Sequence, residues 1–290
     1  MGQSRLRTAE SDEAPLDKST SSHAVATDAV GTAHRSAGAD ARIVCVVPSI
    51  TELLFDLGLG ARVVGRTGFC FHPKAAVKSV PKVGGTKDFD LEKIRALEPT
   101  HLIVNIDENP RERVESAAQF VPNVVVTHPL GPMDNVGLFR LIGAIFGHRQ
   151  EAEDLVGRFE TAYADAVEAT RGLPRERVLY IIWKNPWMTI ARDTYIARTL
   201  AAVGWEQIEV EGGARYPEVD VVATLASVDR VLLSSEPYAF RPKDVAEVQA
   251  MRPAGAPKVS LIDAEMTSWY GSRAIAGMRY LSRLRSNQEL

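Results

Sequence analysis

The sequence predicts an α/β protein of two doubly wound lobes, each with a parallel sheet, joined by a single long backbone helix. Short runs of β-branched apolar residues alternate with amphipathic stretches in both halves of the 290-residue chain. That alternation is typical of parallel strands covered by helices on both faces. A long amphipathic stretch separates the halves, and in each half a buried strand runs into an acidic loop that contains proline (residues 107–110 and 236–237).

The first lobe is predicted over residues 42–148, after a polar segment at residues 1–41 that predicts a disordered tail. Its strands are expected at residues 43–47, 63–65, 101–105 and 124–127, and its helices at residues 91–97 and 110–120. Ser49 and Glu52 have the spacing of a capping box, which predicts a further helix that begins there and ends at Gly58 or Gly60.

The connecting helix is predicted over residues 149–172. Its apolar residues recur at steps of three and four, which gives one apolar helical face, and Gly172 and Pro174 end it. One interpretation is a stiff rod between the lobes, and the other is an ordinary surface helix of one lobe.

The second lobe, residues 173–290, repeats the plan of the first. Strands are expected at residues 177–183, 231–234 and 258–262. Helices are expected at residues 193–203, 242–251 and 272–284, and Asp193 is the predicted N-cap of the first of these.

Composition excludes several classes of function. The net charge of −3 provides no basic surface for nucleic acid. Two cysteines, Cys45 and Cys70, are too few for a disulfide framework. No segment approaches the roughly 20 apolar residues that cross a bilayer, and no apolar signal segment occurs in residues 1–41. These features predict a cytoplasmic protein, or a periplasmic one if an export signal precedes the sequence given.

Aromatic residues cluster in segments that follow predicted strands of the second half. Three of the four tryptophans (Trp183, Trp187 and Trp269) fall in residues 182–196 and 265–273. The carboxyl ends of strands in an open α/β sheet meet at the edge where ligands bind. We therefore expect Trp187, Tyr238 and Trp269 to converge on one groove, where flat rings suit a macrocycle or an aryl chelate.

Short segments from residue 42 onward carry a family resemblance. They read GRTGFCFHP (residues 65–73), VGGTKDFDLEKI (83–94), IVNIDEN (103–109), WKNPWMT (183–189), RYPE (215–218), SSEPYAF (234–240) and EMTSWYGSR (265–273). In this order they resemble ABC-transporter substrate-binding proteins whose lobes are joined by one backbone helix. Within that class they are similar to the cobalamin-binding and helical-backbone metal receptor branch.

The resemblance implies a monomeric binding protein without enzymatic activity or an intrinsic cofactor. It would hold cobalamin, or another metal chelate such as haem or a ferric siderophore, between its lobes for uptake through an ABC permease. Glu112 resembles the acidic residue that docks onto permease arginines, although a solvated carboxylate in the first turn of a helix is an equal alternative. The other functional alternatives are a cytoplasmic tetrapyrrole- or metal-handling enzyme or chaperone, and a ligand sensor without a transporter.

Candidate ligand-binding residues come from both halves. They are Phe69, Cys70, His72, Lys87, Asn105, Glu108, Trp187, Tyr216, Glu236, Tyr238, Glu265, Trp269 and Arg273. Cys70 and His72 are also a candidate metal pair, because thiolate and imidazole are good ligands for soft and borderline metals. The alternative is a loop in which both point elsewhere. Arg273 is expected either to bind a ligand carboxylate or to brace Glu265.

Overall fold

Helices cover two separate sheets. A computed structural model describes residues 26–210, 212–251 and 257–286. The first half contains β1 (Ala26–Thr27), β2 (Ala33–His34), β3 (Ile43–Cys45), α1 (Pro48–Asp56), β4 (Val63–Arg66), α2 (Leu91–Ala96), β5 (His101–Asn105), α3 (Arg111–Ala118), β6 (Asn123–Thr127) and α4 (Asp134–Phe146). The second half contains α5 (Arg149–Thr170), β7 (Glu176–Trp183), β8 (Met188–Thr189), α6 (Tyr195–Ala202), β9 (Trp205–Gln207), α7 (Val221–Thr224), β10 (Arg230–Ser234), α8 (Pro242–Ala250), β11 (Lys258–Ile262), α9 (Ala264–Ser268) and α10 (Arg273–Arg285).

Both sheets are built around parallel strands. The first has the order β4-β3-β5-β6, and all its pairs are parallel. The second has the order β11-β10-β7-β8, in which only β8 is antiparallel, and β9 runs parallel to the first part of β7. The predicted fold class is therefore confirmed: two α/β lobes with a long helix, α5, between them in the chain.

The hydrophobic core behind the cleft is continuous from one lobe to the other. One cluster of buried residues includes Ile43 of β3, Phe159 of α5 and Tyr180 of β7. Helix α5 packs against α4 from the first half and α10 from the second, so it joins the lobes rather than covering one of them. No described helix is both long and apolar enough to span a bilayer.

Residues 26–41 differ from the prediction of a disordered tail. Strands β1 and β2 form an antiparallel hairpin, and the backbone N–H of Ala29 donates to the carbonyl of Val126 at the edge of β6. The buried Asp28 carboxylate accepts hydrogen bonds from Val126 N at 3.0 Å and from His34 Nε2 at 3.0 Å. These contacts replace the solvation that a polar segment would otherwise need. The remaining part of the predicted tail, residues 1–25, lies outside the described residues.

Two local predictions are wrong. Helix α1 begins at Pro48 with Val47 as its N-cap, because Pro is favoured in the first turn; no capping box forms at Ser49. Helix α6 is capped by the Thr194 hydroxyl, which accepts from Ala197 N, rather than by Asp193. Helix α4 was not predicted, and seven of its residues are buried.

Candidate functional site

A cleft of about 550 Å³ opens between the lobes at the carboxyl ends of strands from both sheets. This is the edge where open α/β sheets bind ligands. Its wall and floor are formed by Pro48, Ser49, Phe69, Phe71, Thr86, Lys87, Asn105, Asp107, Glu108, Pro129, Tyr180, Ile182, Thr194, Tyr195, Ile196, Tyr216, Glu236, Pro237, Ser268, Trp269 and Tyr270.

Aromatic side chains from both lobes stand at the mouth of this cleft. Phe69 and Phe71, in the loop after β4, are 56% and 48% exposed, and Tyr216 of the second lobe is 41% exposed. Trp269 follows α9 and lines the same cleft. Large apolar groups that remain this exposed in a concave site mark a binding surface.

The cleft brings together many of the predicted ligand-binding residues. Those that line it are Phe69, Lys87, Asn105, Glu108, Tyr216, Glu236 and Trp269. Asn105 is the last residue of β5, so the strand delivers it to this edge of the sheet, and the loop that follows carries Glu108. The ligand-binding role of these residues stays a prediction.

The floor of the cleft is formed by buried tyrosines. Tyr180 donates to or accepts from Ser234 Oγ at 3.0 Å and Thr267 Oγ1 at 2.8 Å. Tyr195 accepts from Asn135 Nδ2 at 2.9 Å. Sequence reasoning missed both residues, although the alternation of β7 contained a signal: Tyr180 and Ile182 face the cleft, whereas Leu179 and Ile181 face the opposite cluster.

Glu108 and Tyr270 link the lobes at the floor, where the Tyr270 hydroxyl donates to the Glu108 carboxylate. Burial raises the pKa of Glu108 to about 7, although the hydrogen bond from Tyr270 and the nearby charge of Lys87 act in the opposite direction. Burial and the Glu108 carboxylate also raise the pKa of Tyr270 well above its usual value. Near neutral pH the Glu108 carboxyl group is therefore divided between its protonated and ionised forms.

The raised pKa of Glu108 makes stability depend on pH. The pKa of Glu108 in the folded protein exceeds its usual value of 4.5. Protonated Glu108 therefore contributes stability that is fully present below pH 4.5 and is lost as the pH rises from 4.5 to 7. Glu108→Gln removes the ionised form. We compare the free energy of unfolding of the variant with that of wild type at each pH. The difference in favour of the variant is expected to be about 1–3 kcal/mol larger at pH 8 than at pH 5. Urea unfolding of both proteins at the two pH values tests this, and an unchanged difference would contradict it.

Polar contacts also join the lobes at the rims of the cleft. Asp107 Oδ2 accepts from Arg215 Nη2 at 2.9 Å. In a second contact between the lobes, Glu265 Oε2 lies 2.9 Å from His72 Nε2. Glu52 accepts two hydrogen bonds from Arg273, at 2.7 and 2.5 Å. Glu265 thus contacts both His72 and Arg273, and none of the three lines the cleft itself.

Trp187 and Tyr238 do not meet Trp269 in one groove, contrary to the prediction. Trp187 stacks on Phe240 with ring centroids 6.0 Å apart, and Tyr238 lies 4.6 Å from the same ring. Both pack on the cluster under α7 and α8. The physical reason is that both pack on the face of β7 that carries Leu179 and Ile181, opposite the face whose Tyr180 and Ile182 line the cleft.

Cys70 does not reach the cleft either. It is 1% exposed, and its sulfur lies 3.2 Å from both Thr51 Oγ1 and Thr67 Oγ1. Burial raises the pKa of the Cys70 thiol, which disfavours the thiolate that binds metals. With His72 paired to Glu265, the proposed Cys70–His72 metal pair does not form. Across the described ranges, no group of three or more His, Cys, Asp or Glu side chains is arranged to hold a metal ion.

Glu112 is exposed in the first turn of α3. It lies outside the cleft, on the lobe surface. This exposure is compatible with both interpretations of the residue, a docking contact or a solvated carboxylate.

Sequence comparison identifies relatives of known class. Residues 43–250 match the profile of a family described as periplasmic binding protein. The chain is 23% identical over 201 residues to the Vitamin B12-binding protein of Vibrio vulnificus (strain CMCP6), which covers 69% of this chain and 72% of the relative. It is 24% identical over 196 residues to the Vitamin B12-binding protein of Vibrio campbellii (strain ATCC BAA-1116), which covers 67% of this chain and 70% of the relative.

Solved structures share the fold. The periplasmic heme-binding protein RhuT from Roseiflexus sp. RS-1 superposes with a TM-score of 0.73 at 22% identity, covering 86% of this chain and 99% of that one. The periplasmic vitamin B12 binding protein BtuF of Vibrio cholerae gives a TM-score of 0.72 at 15% identity, covering 85% and 97%. At these identities the likeness concerns the fold alone.

Proposed function

The chain belongs to the periplasmic binding protein family, and from that premise we propose that it is a receptor for a flat metal chelate of the corrinoid type. The observation that carries this proposal is the cleft between the lobes. It has exposed aromatic rings at its mouth, Phe69, Phe71 and Tyr216 among them, and hydroxyl groups on its floor. Rings provide a large contact area at a low cost in conformational entropy.

The predicted cytoplasmic location is wrong. The family that matches residues 43–250 is one of periplasmic binding proteins. The expectation of a cytoplasmic protein was based on composition alone. A solute receptor is also favoured over a metal-handling enzyme or chaperone, since that alternative depended on Cys70 and His72, and Cys70 is enclosed in the first lobe.

The charges of the cleft favour a ligand with carboxamides on its periphery over one with carboxylates. Among the described residues that line the cleft, Lys87 is the only cation, and its Nζ already donates to the carbonyl of Asp107 at 2.7 Å. Three carboxyl groups, of Asp107, Glu108 and Glu236, face the same space. Burial, followed by the nearby Glu265 charge, raises the pKa of Glu236, and the same two effects disfavour the negative charge of a ligand carboxylate in this part of the cleft.

Corrinoids carry carboxamide N–H groups that these carboxyl groups can accept from. Haem carries two propionates, which require cations. Arg215 and Arg273 already have carboxylate partners, Asp107 and Glu52 respectively. The proposed order of preference is therefore corrinoid over haem.

Delivery to an ABC permease completes the proposal, and the exposed Glu112 of α3 is its candidate docking residue. The continuous core behind the cleft and the rigid α5 between the lobes favour a small closing motion rather than wide hinge bending. A monomer suffices for this role, because one chain forms both walls of the cleft.

Absorbance titration and calorimetry test the proposed ligand. The full chain is titrated with cyanocobalamin, with dicyanocobinamide, which lacks the nucleotide arm, with haem and with a ferric catecholate chelate. We expect saturable one-to-one binding of a corrinoid and weaker binding of haem. Binding of haem or the ferric chelate alone would overturn the corrinoid assignment, and a folded protein that binds none of the four would overturn the proposed function.

A further inference from the structure

Trp269, an aromatic wall residue of the cleft, is held between two side chains. The His72 ring meets the indole edge-on, with centroids 5.6 Å apart and an interplanar angle of 82°. The Arg273 guanidinium lies over the indole, 5.2 Å from the centroid. Edge-to-face and cation–π contacts each fix the orientation of a ring as well as attracting it.

These two side chains are themselves fixed by carboxylates. Glu265 Oε2 accepts from His72 Nε2 at 2.9 Å and forms an ion pair with Arg273 Nη1 at 3.2 Å. Glu52 accepts from the other edge of the guanidinium through two bonds of 2.7 and 2.5 Å. The four side chains are only 11–24% exposed, so solvent screens their charges weakly.

The four side chains come from both lobes. Glu52 lies on α1 and His72 follows β4 in the first lobe, whereas Glu265 on α9 and Arg273 at the start of α10 belong to the second. The hydrogen bonds between His72 and Glu265 and between Arg273 and Glu52 therefore join one lobe to the other. The orientation of Trp269 consequently depends on how closely the lobes approach.

We propose that Glu52, His72, Glu265 and Arg273 form a cross-lobe clamp that positions Trp269 for the ligand. Arg273 and His72 contact the Trp269 indole, and the carboxylates of Glu52 and Glu265 fix the positions of Arg273 and His72. The clamp couples the wall of the cleft to closure of the lobes, so that a flat ligand meets a pre-oriented indole. Pre-orientation lowers the ordering cost of binding. This inference rests on the proposed function, since it concerns the same cleft.

The first test requires no ligand. Protein labelled with 5-fluorotryptophan gives one ¹⁹F resonance for each of its four tryptophans, and Trp269→Phe assigns the relevant one. Glu52→Gln is the decisive variant, because Glu52 acts on the indole only through Arg273. We expect the Trp269 resonance to shift and broaden in Glu52→Gln and in His72→Gln, while that of buried Trp205 stays in place.

A matched control removes an ion pair of similar geometry elsewhere. Glu153 accepts from Arg140 at 2.7 and 2.9 Å on the surface, and Glu153→Gln is expected to leave the Trp269 resonance unchanged. A Trp269 resonance with unaltered position and width in both Glu52→Gln and His72→Gln would overturn the clamp, whether or not a chelate binds.

The second test uses dicyanocobinamide as the probe. Loss of the clamp is expected to raise its dissociation rate about threefold to thirtyfold, the range of one cation–π contact, with a smaller effect in Arg273→Lys than in Arg273→Ala. Unchanged dissociation in Glu52→Gln would overturn the link between clamp and ligand. Absence of binding by wild type would instead count against the proposed function, and the ¹⁹F result would still decide on the clamp.

Discussion

Glu176→Ala is expected to lower the free energy of unfolding by about 3–5 kcal/mol, the usual penalty for breaking a buried ion pair. The Glu176 carboxylate accepts hydrogen bonds from Arg230 Nε at 2.8 Å, Arg285 Nη1 at 3.1 Å and Trp205 Nε1 at 2.9 Å. The arginine side chains are only 9% and 5% exposed. Removing the carboxylate leaves two buried positive charges without a partner in the second lobe.

Urea unfolding at pH 7 measures this effect, and Glu206→Ala provides the control. Glu206 pairs with Arg175 on the exposed side of the neighbouring strand, where loss of an ion pair costs roughly 0–1 kcal/mol. A similar effect of both substitutions would contradict the prediction.

The Glu176 interaction also has a pH signature. Burial alone would raise the pKa of Glu176, but Arg230, Trp205 and Arg285 more than offset it and lower the pKa. Because the folded pKa is depressed, the stabilisation is present above the usual value of 4.5 and is lost as the pH falls through the folded pKa. The wild type should therefore approach Glu176→Ala in stability only in acid.

Trp269→Ala is expected to weaken corrinoid binding by about 2–4 kcal/mol, the range for truncating a central aromatic contact. The indole lines the cleft and its orientation is fixed on two sides. Little stability should be lost, since Trp269 is partly exposed. Isothermal titration calorimetry with dicyanocobinamide measures the affinity, and thermal unfolding verifies that the variant is folded.

Trp183→Ala is the matched control for this prediction. Trp183 is 39% exposed and contacts Tyr238 on the opposite side of the sheet from the cleft. We expect its substitution to change the affinity by less than about 0.5 kcal/mol, as for most surface changes. Equal losses of affinity in the two variants would show that Trp269 has no special role in the cleft.

Local sequence patterns predicted the framework because most strands are short runs of apolar residues. His101–Asn105 and Lys258–Ile262 form strands with the predicted bounds. The long helix was also predictable from one apolar face, since α5 begins at the expected residue and ends two residues before the predicted end. Such signals depend only on neighbours in the chain.

The arrangement of the site could be predicted only in part. The segments that line the cleft were found, because they follow strands, but the direction of each side chain was not. A shift of one position separates Ile182, in the cleft, from Trp183, outside it. The bond between Arg273 and Glu52 joins residues 221 positions apart, and no local pattern contains that pairing; the spacing of Ser49 and Glu52 pointed instead to a cap.

The tyrosine floor divides the cleft into two kinds of position. Tyr180, Tyr195 and Tyr270 belong to the hydrophobic cluster shared by both lobes and also line the cleft. A substitution there disturbs cargo and scaffold together. Phe69 and Tyr216 at the mouth contribute little to that cluster. Substitutions at the mouth can therefore change ligand preference during evolution with a small loss of folding free energy. Residues at the base of the cleft can change far less, because each contributes both to ligand contact and to the hydrophobic core.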